Sequence, residues 1–384
     1  MDQSTGKEDR FYSEFHRLRT SDPVSRDGDT GPWRVARYED VREVLRDDQT
    51  FSSNVSVRAQ AHGESPSMLF SDPPIHNRLR KLVSRAFSPQ RIAEQRGRIT
   101  ERCQQLVDQM VQKDQPDLVH ELASPLPVTV IADMLGVVDG NMREFKRWSD
   151  IIFGNIGEIL LGEPDQAVMQ ASEEMSAYFL SRIERLREHP EKHLLSQLVH
   201  IETEDGQLTD SELLMFCRLL LIAGNETTTG LISACVRIFH ELPWTFSHLK
   251  GNPESIESFV EETLRYYAPF QMTIRRTTRN VEIAGTEISK GEIVLPLIAS
   301  ANRDEQIFTD ADQFEIERDP NPHLAFGFGI HNCLGAPLAR LEAQIAVASL
   351  LEHLDEISLV EHDPELLSRF GGPAELAVNI RRAT

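Results

Sequence analysis

Near the C-terminal end, Phe326-Gly327-Phe328-Gly329-Ile330-His331-Asn332-Cys333-Leu334-Gly335 places a cysteine where a glycine-punctuated loop turns into Ala336-Pro337-Leu338-Ala339-Arg340-Leu341-Glu342-Ala343, which reads as a helix. At a helix start, free backbone N–H groups and the positive end of the macrodipole favour a thiolate over a thiol. A thiolate is both a nucleophile and a metal ligand. Gly327, Gly329 and Gly335 allow tight backbone conformations and close approach of a flat partner. The competing reading for a bare Cys-Leu-Gly is a buried structural cysteine in an ordinary loop.

A second chemical stretch lies in the longest apolar run. Thr209-Asp210-Ser211-Glu212 has capping-box spacing, and the helix it opens is expected to continue to His240, with Pro243 beyond. Its interior carries Ala223-Gly224-Asn225-Glu226-Thr227-Thr228-Thr229. Glycine costs about 1 kcal/mol relative to alanine there, and threonine hydroxyls compete for the carbonyl one turn back. Asn225 and Glu226 put polar groups into a helix that should be buried, so they demand partners. Rules broken in mid-helix point to a site. Gly224 would leave room for a flat group or dioxygen, Thr227 offers a hydroxyl that donates and accepts, and Glu226 offers a proton. A kinked core helix with a satisfied polar patch is the alternative.

Two further pairs sit at helical spacing. In Asp72-Pro73-Pro74-Ile75-His76-Asn77-Arg78-Leu79-Arg80, Asp72 is expected to cap a helix running to about Phe87, with His76 and Arg80 on one face. Both can donate to an anion; a solvated basic face is the plainer reading. Glu262 and Arg265, three apart in the helix Glu254 to Tyr266, have ion-pair geometry.

The whole stretch from Phe326 to Arg340 resembles the haem-ligand signature of the cytochrome P450 family. Asp-Pro-Pro-x-His-x-x-x-Arg is similar to the family's propionate-holding helix, and Ala-Gly-x-Glu-Thr-Thr to its oxygen-activating segment. Glu262, Arg265 and Arg318 match its structural Glu-Arg-Arg network. These motifs run in the family's order from Asp72 to Ala343. The resemblance implies haem b (iron protoporphyrin IX) with the Cys333 thiolate as axial ligand to iron, His76, Arg80, Arg275 and His331 on the propionates, and Gly224 and Phe326 beside the cofactor. Arg276 is adjacent to Arg275 and leaves that choice open. Thr227 and Glu226 would handle oxygen and protons. The family's reaction puts one atom of O2 into an organic substrate. The substrate pocket implied is Leu69, Phe70, Ile222, Ala223, Phe270 and Met272; these are mostly apolar, so a mostly apolar small molecule is expected. A peroxide-driven peroxygenase is a rival, against which the Glu226-Thr227 pair argues because peroxide brings its own oxygen and protons. A non-catalytic haem-thiolate sensor is a second rival, with no DNA-binding or signalling segment to support it.

The elements that must position these residues are mostly helical. Near-continuous helical pattern runs from Ile92 to Arg187, while strands are expected at Trp33–Ala36, Val281–Gly285 and Glu287–Leu297. The expected fold is mainly α with a smaller β-rich part near 33–60, 275–300 and 357–384. One cytochrome P450 domain is expected over 1–384, with haem between the long central helix and the Cys333 helix. Phe51 to Phe70 reads as a long loop, and Ile151–Gly154 with Ile156–Leu161 as either a core helix or part of a lid.

Composition narrows the partners. Four cysteines without paired or metal-knuckle spacing fit a reducing cytoplasm. The polar residues Met1 to Arg10 do not read as a secretory leader, and Leu213 to Ala223 is too short to span a bilayer. A net charge of −21 argues against nucleic acid and anionic membrane. The acidic, lysine-poor composition suits a high-salt cytoplasm, and a GC-rich genome would explain the lysine scarcity equally. No flavin or iron–sulfur signature accompanies the motifs, so the expected electron source is a ferredoxin-type donor with its reductase, serving a monomeric enzyme. Between Pro73 and Ala93 there is no acid, while Arg78, Arg80, Lys81, Arg85 and Arg91 are present. This island is either a dock for an acidic donor or a solvated helix face.

Overall fold

The computed structural model describes residues 5–55, 67–137, 142–155, 165–204, 206–360 and 372–383. Most of the expected Phe51–Phe70 loop, the apolar section 156–161 and the Phe370-Gly371 turn lie outside the described residues. The first helices in chain order are α1 (Thr5–Ser21), α2 (Tyr38–Arg46), α3 (Ile75–Ser84), α4 (Pro89–Ala93), α5 (Arg96–Met110), α6 (Pro125–Leu135) and α7 (Met142–Gly154). They are followed by α8 (Gln166–Glu188), α9 (Leu194–Val199), α10 (Asp210–Glu241), α11 (Trp244–Gly251), α12 (Ile256–Tyr266), α13 (Ile298–Ala301) and α14 (Ala336–His353). The strands are β1 (Val24–Arg26), β2 (Trp33–Val35), β3 (Phe51–Ser52), β4 (Arg275–Thr277), β5 (Val281–Ile283), β6 (Thr286–Ile288), β7 (Ile293–Pro296), β8 (Leu354–Leu359) and β9 (Val378–Arg382). The chain divides into two compact units, one of Met1–Ser52, Glu94–Leu126 and Thr227–Thr384, the other of Ser53–Ala93 and Pro127–Glu226.

In the first unit, five short strands pair in the order β1-β2-β7-β4-β3. Only β2 and β7 run parallel in it, with Trp33 opposite Val294. The pleat buries Val35 and Val294, while Phe15 and Leu18 of α1 pack with Ala36, Leu297 and Ala299. α14 packs against α5 and α12. β8 and β9 form a separate two-stranded ribbon.

Charge is buried deepest on α12. Glu262 and Arg265 expose no side-chain surface and join through two bonds, Nε to Oε2 at 2.8 Å and Nη2 to Oε1 at 2.7 Å. Arg265 also donates to the carbonyls of Asn302, Ala311 and Gln313 at 2.7–3.0 Å. Glu262 accepts from Arg318 Nε at 3.1 Å, from the Glu315 N–H at 3.0 Å and from Asn321 Nδ2 at 3.1 Å. Every strong donor and acceptor of the pair is used, which is the condition for a buried ion pair to be tolerated. The network ties α12 to the irregular stretch that leads into the Cys333 loop.

In the second unit, α8 packs on α7 and α9. Asp165 caps α8 by accepting from the Val168 N–H at 2.9 Å. The start of α10 is the capping box: Thr209 N–H donates to Glu212 at 2.9 Å, and Glu212 N–H donates to Thr209 Oγ1 at 3.2 Å. At α3 the expected cap differs. Pro74 holds the N-cap position, and Asp72 Oδ1 accepts instead from the Ser53 N–H at 2.8 Å. α3 ends at Ser84, and Arg85–Phe87 continue as a 3-10 turn. Among the described residues α10 alone is long and apolar enough to cross a membrane, but 61% of its most apolar window is buried inside the protein, as in a core helix.

Because Arg265→Ala would strand the Glu262 carboxylate in a dry site, it should destabilise the protein by about 3–5 kcal/mol. Chemical denaturation followed by circular dichroism measures this, with Lys250→Ala, whose Asp355 partner is partly exposed, losing less than about 1 kcal/mol.

Candidate active site

In the first unit the site begins with the backbone of the Cys333 loop. Gly327 and Gly329 adopt left-handed φ of 70° and 72°. At Gly329 a side chain is also excluded sterically, because a Cβ would sit 2.7 Å from the Leu45 carbonyl oxygen of α2. Arg42 of α2 stands 4.9 Å from the Phe328 ring centroid. The loop then closes a short 3-10 turn, Gly329–His331, and the Cys333 N–H donates to the Phe326 carbonyl at 2.8 Å. Cys333 lies just before the N-cap Gly335, outside the first turn of α14, with its side chain exposed.

The other three cysteines differ in kind. Cys103, Cys217 and Cys235 are buried, and burial pushes the Cys103 thiol up to about 11 and the Cys235 thiol up to about 12. Among the four, only Cys333 is accessible for chemistry. Near it in sequence, His331 is half-buried. Arg275 is buried on β4, its Nη1 donating to the Ile274 carbonyl at 2.8 Å. Arg276 is half-buried.

The second unit holds α10 as far as Glu226, and the first unit the rest. Leu219, Ile222 and Glu226 are half-buried and Ala223 is exposed, a spacing that puts them on one face. Thr227, the next residue of the helix, is also half-buried, whereas Thr228 and Thr229 are buried. Asn225 points the other way and is fully buried, its Nδ2 lying 3.2 Å from both Ser149 Oγ of α7 and Glu226 Oε1. Burial raises the Glu226 carboxyl above the ordinary glutamate range; Asp150 adds to the rise, and Lys146 opposes it. A raised carboxyl holds its proton at higher pH, as a proton donor must.

Gly224 also has a packing role within this unit. A Cβ there would lie 3.0 Å from Ile131 Cδ1 of α6, so the missing side chain lets α6 and α10 pack closely. His76 is buried on α3, its Nδ1 3.2 Å from Asn77 Oδ1, and Arg80 is half-buried one turn on. Of the pocket candidates, Leu69 is exposed and Phe70 half-buried. Phe270 is half-buried, and Met272 packs against the core formed by Phe15, Leu18 and Leu297.

The cytochrome P450 family profile matches residues 28–242 and 254–370. The putative cytochrome P450 YjiB of Bacillus subtilis is 40% identical over 354 residues, covering 91% of this chain and 89% of that protein. The structure of CYP109Q5 from Chondromyces apiculatus superposes with a TM-score of 0.88 at 37% identity, covering 98% of this chain and 96% of that one. CYP109E1 from Bacillus megaterium, in a complex with testosterone, gives 0.85 at 37% identity, covering 97% and 99%. The chain belongs to the cytochrome P450 family. It is a haem-thiolate monooxygenase with that family's fold.

The residues present fit a P450 haem. The one exposed thiol stands on a loop stripped of side chains at Gly327 and Gly329, and a thiolate is the axial donor that P450 iron takes. In the first unit, buried Arg275 is of the type that binds carboxylates.

Sequence reading missed a cluster beside the P450 loop. Glu261, adjacent to Glu262, accepts from Arg340 Nε at 2.7 Å and Nη2 at 2.8 Å, and lies 3.1 Å from His323 Nε2. Burial pushes the Glu261 carboxyl up, but the bonds and charges of His323 and Arg340 outweigh it and hold it at about 2. Arg340 also lies 4.4 Å from the Phe326 ring centroid. The paired acids Glu261-Glu262 and the Leu-Ala-Arg after Cys333 were visible, but nothing in their spacing linked them.

The raised carboxyl of Glu226 has a consequence for stability. Its folded-state pKa lies above the unfolded value of about 4.3, so its contribution is whole below that pH and is lost as pH rises through the elevated value. Glu226→Gln, which cannot ionise, should therefore gain Tm over the parent as pH rises from 4 to 9. The gain should vanish near pH 4 in parallel thermal melts.

Proposed function

We propose that Cys333 is the haem ligand of a monooxygenase acting on a mostly apolar small organic molecule, with electrons from a separate ferredoxin-type protein and its reductase. The accessible Cys333 thiol on its glycine-bared loop is the observation that carries this reading. His76 and Arg80 of α3, with Arg275 and His331, are the residues we assign to the haem propionates, and Phe326 and Gly224 flank the cofactor in the family's pattern. Four free cysteines suit a reducing cytoplasm, and we assign the protein there as a monomer.

Bound haem supplies activation of O2, with two electrons and two protons, for insertion of one oxygen atom into a C–H bond. The chain's residues supply the conditions. Cys333 gives the electron-rich donor that favours O–O cleavage. Burial favours the protonated form of Glu226, and Thr227, the next residue of α10, has a hydroxyl able to accept a proton and pass it on. Ile222 and Ala223 present apolar surface on the same face of α10 as Glu226, favouring an apolar substrate over bulk water. The steroid held by CYP109E1 is a molecule of the expected character, and steroid-sized apolar compounds are the first class to screen.

The basic island contracts in the folded chain. Arg78 is paired with Glu212 and donates to the Gln207 carbonyl, while Lys81, Arg85 and Arg91 are exposed from α3 to α4. We assign this patch to an acidic electron donor.

The reduced enzyme with carbon monoxide should show the red-shifted Soret band of a thiolate-ligated haem. Cys333→Ser should lose both the band and turnover, and an unchanged band in that variant overturns the ligand assignment. Arg85→Glu should slow reduction by ferredoxin at low salt at least about tenfold, with the difference shrinking as ionic strength rises. Stopped-flow reduction at two salt concentrations reads this out, and equal rates for parent and variant would remove the docking assignment.

A further inference from the structure

We propose that Glu261 and Arg340 are positioning residues for the Cys333 thiolate and set its electrostatic surroundings by acting through Phe326. The proposal rests on Cys333 being the haem ligand. It starts from a continuous chain of contacts within the first unit. The Arg340 guanidinium makes a two-bond fork with Glu261, at 2.7 and 2.8 Å, and stands 4.4 Å from the Phe326 ring centroid. The Phe326 carbonyl accepts the Cys333 N–H at 2.8 Å and lies 3.4 Å from Asn332 Nδ2. A planar guanidinium held by a carboxylate thus presses on the ring of the same residue whose carbonyl fixes the cysteine backbone.

The near end of the loop is tied to the same carboxylate. His323 Nδ1 accepts from the Ala325 N–H at 3.3 Å, which leaves Nε2–H to donate to Glu261 at 3.1 Å. Glu261 therefore gathers both the start of the loop and the helix that follows it. Its neighbour Glu262 is occupied entirely by the buried Arg265–Arg318 network, so the two acids have separate tasks.

Charge balance gives the arrangement a measurable signature. Together, Glu261 and Arg340 cancel; remove one and the other is left as a net charge on the Cys333 side of α12 and α14. A one-electron reduction adds negative charge at the ligated centre. A lone carboxylate disfavours it, and a lone guanidinium favours it. A cluster that served only to hold the loop would give no such opposition, since either truncation would loosen the same contacts.

The test is redox titration of the purified holoenzyme. Arg340→Met should lower, and Glu261→Gln should raise, the one-electron reduction equilibrium by about tenfold, equivalent to ~59 mV each way. The double variant, neutral at both positions, should return to within about twofold of the parent. Arg340→Lys retains charge but loses the fork. It should keep the parent potential while its carbon monoxide complex loses the red-shifted band several-fold faster on standing. Shifts of the same sign in both single variants, or shifts under twofold in variants that keep the band, overturn the proposal. A parent enzyme without that band would remove Cys333 as ligand and, with it, the basis of this inference.

Discussion

A carboxylate and a guanidinium with no exposed surface, Glu262 and Arg265, are the constraint on which the first unit depends. Taking both from water costs several kcal/mol per ion, and attraction alone does not guarantee its return. Three backbone carbonyls on one side, and Arg318, Asn321 and the Glu315 N–H on the other, complete the hydrogen bonding. Those partners come from the irregular stretch between Asn302 and Asn321, which has little regular structure of its own. The ion pair therefore acts as the template for a segment that hydrophobic periodicity could not organise, and that segment delivers the chain to the Cys333 loop.

The loop inherits this rigidity and adds its own restraints. Backbone contact with α2 at Gly329 tolerates no side chain, and the Phe326 carbonyl holds the Cys333 amide. An exposed cysteine without a task is a liability, open to oxidation and adventitious metals. Here the exposed position is the one we propose as the haem ligand. The three cysteines with no chemical task are buried and their thiols are held protonated.

α10 solves a different problem. Its capping box starts it cleanly, and its burial would normally forbid the run of polar residues in its centre. The structure separates those residues by face: Asn225 turns inward to Ser149, Thr229 to the Ala123 carbonyl, and Glu226 and Thr227 stay half-buried. A buried helix can hold these four polar residues because each finds its own exit from the apolar surroundings.

Types and spacing along the chain were enough to determine the longer helices, the capping box, the strand segments near 281–297, the cysteine loop and the family. The elements and each motif depend on residues within one or two turns of each other, where periodicity and turn chemistry act directly, and the family on the order of the motifs along the chain. Other features depended on partners far apart in sequence. Asp72 bonds Ser53 instead of capping α3, Arg78 leaves the basic island for Glu212, and Gly224 packs against Ile131. Glu261 meets Arg340 across 79 positions and binds beside the cysteine loop, while Glu262, one residue away, enters a closed network. Sequence shows which face of a helix a residue occupies; only packing decides what that face meets, and a buried charge takes its role from the partner that satisfies it.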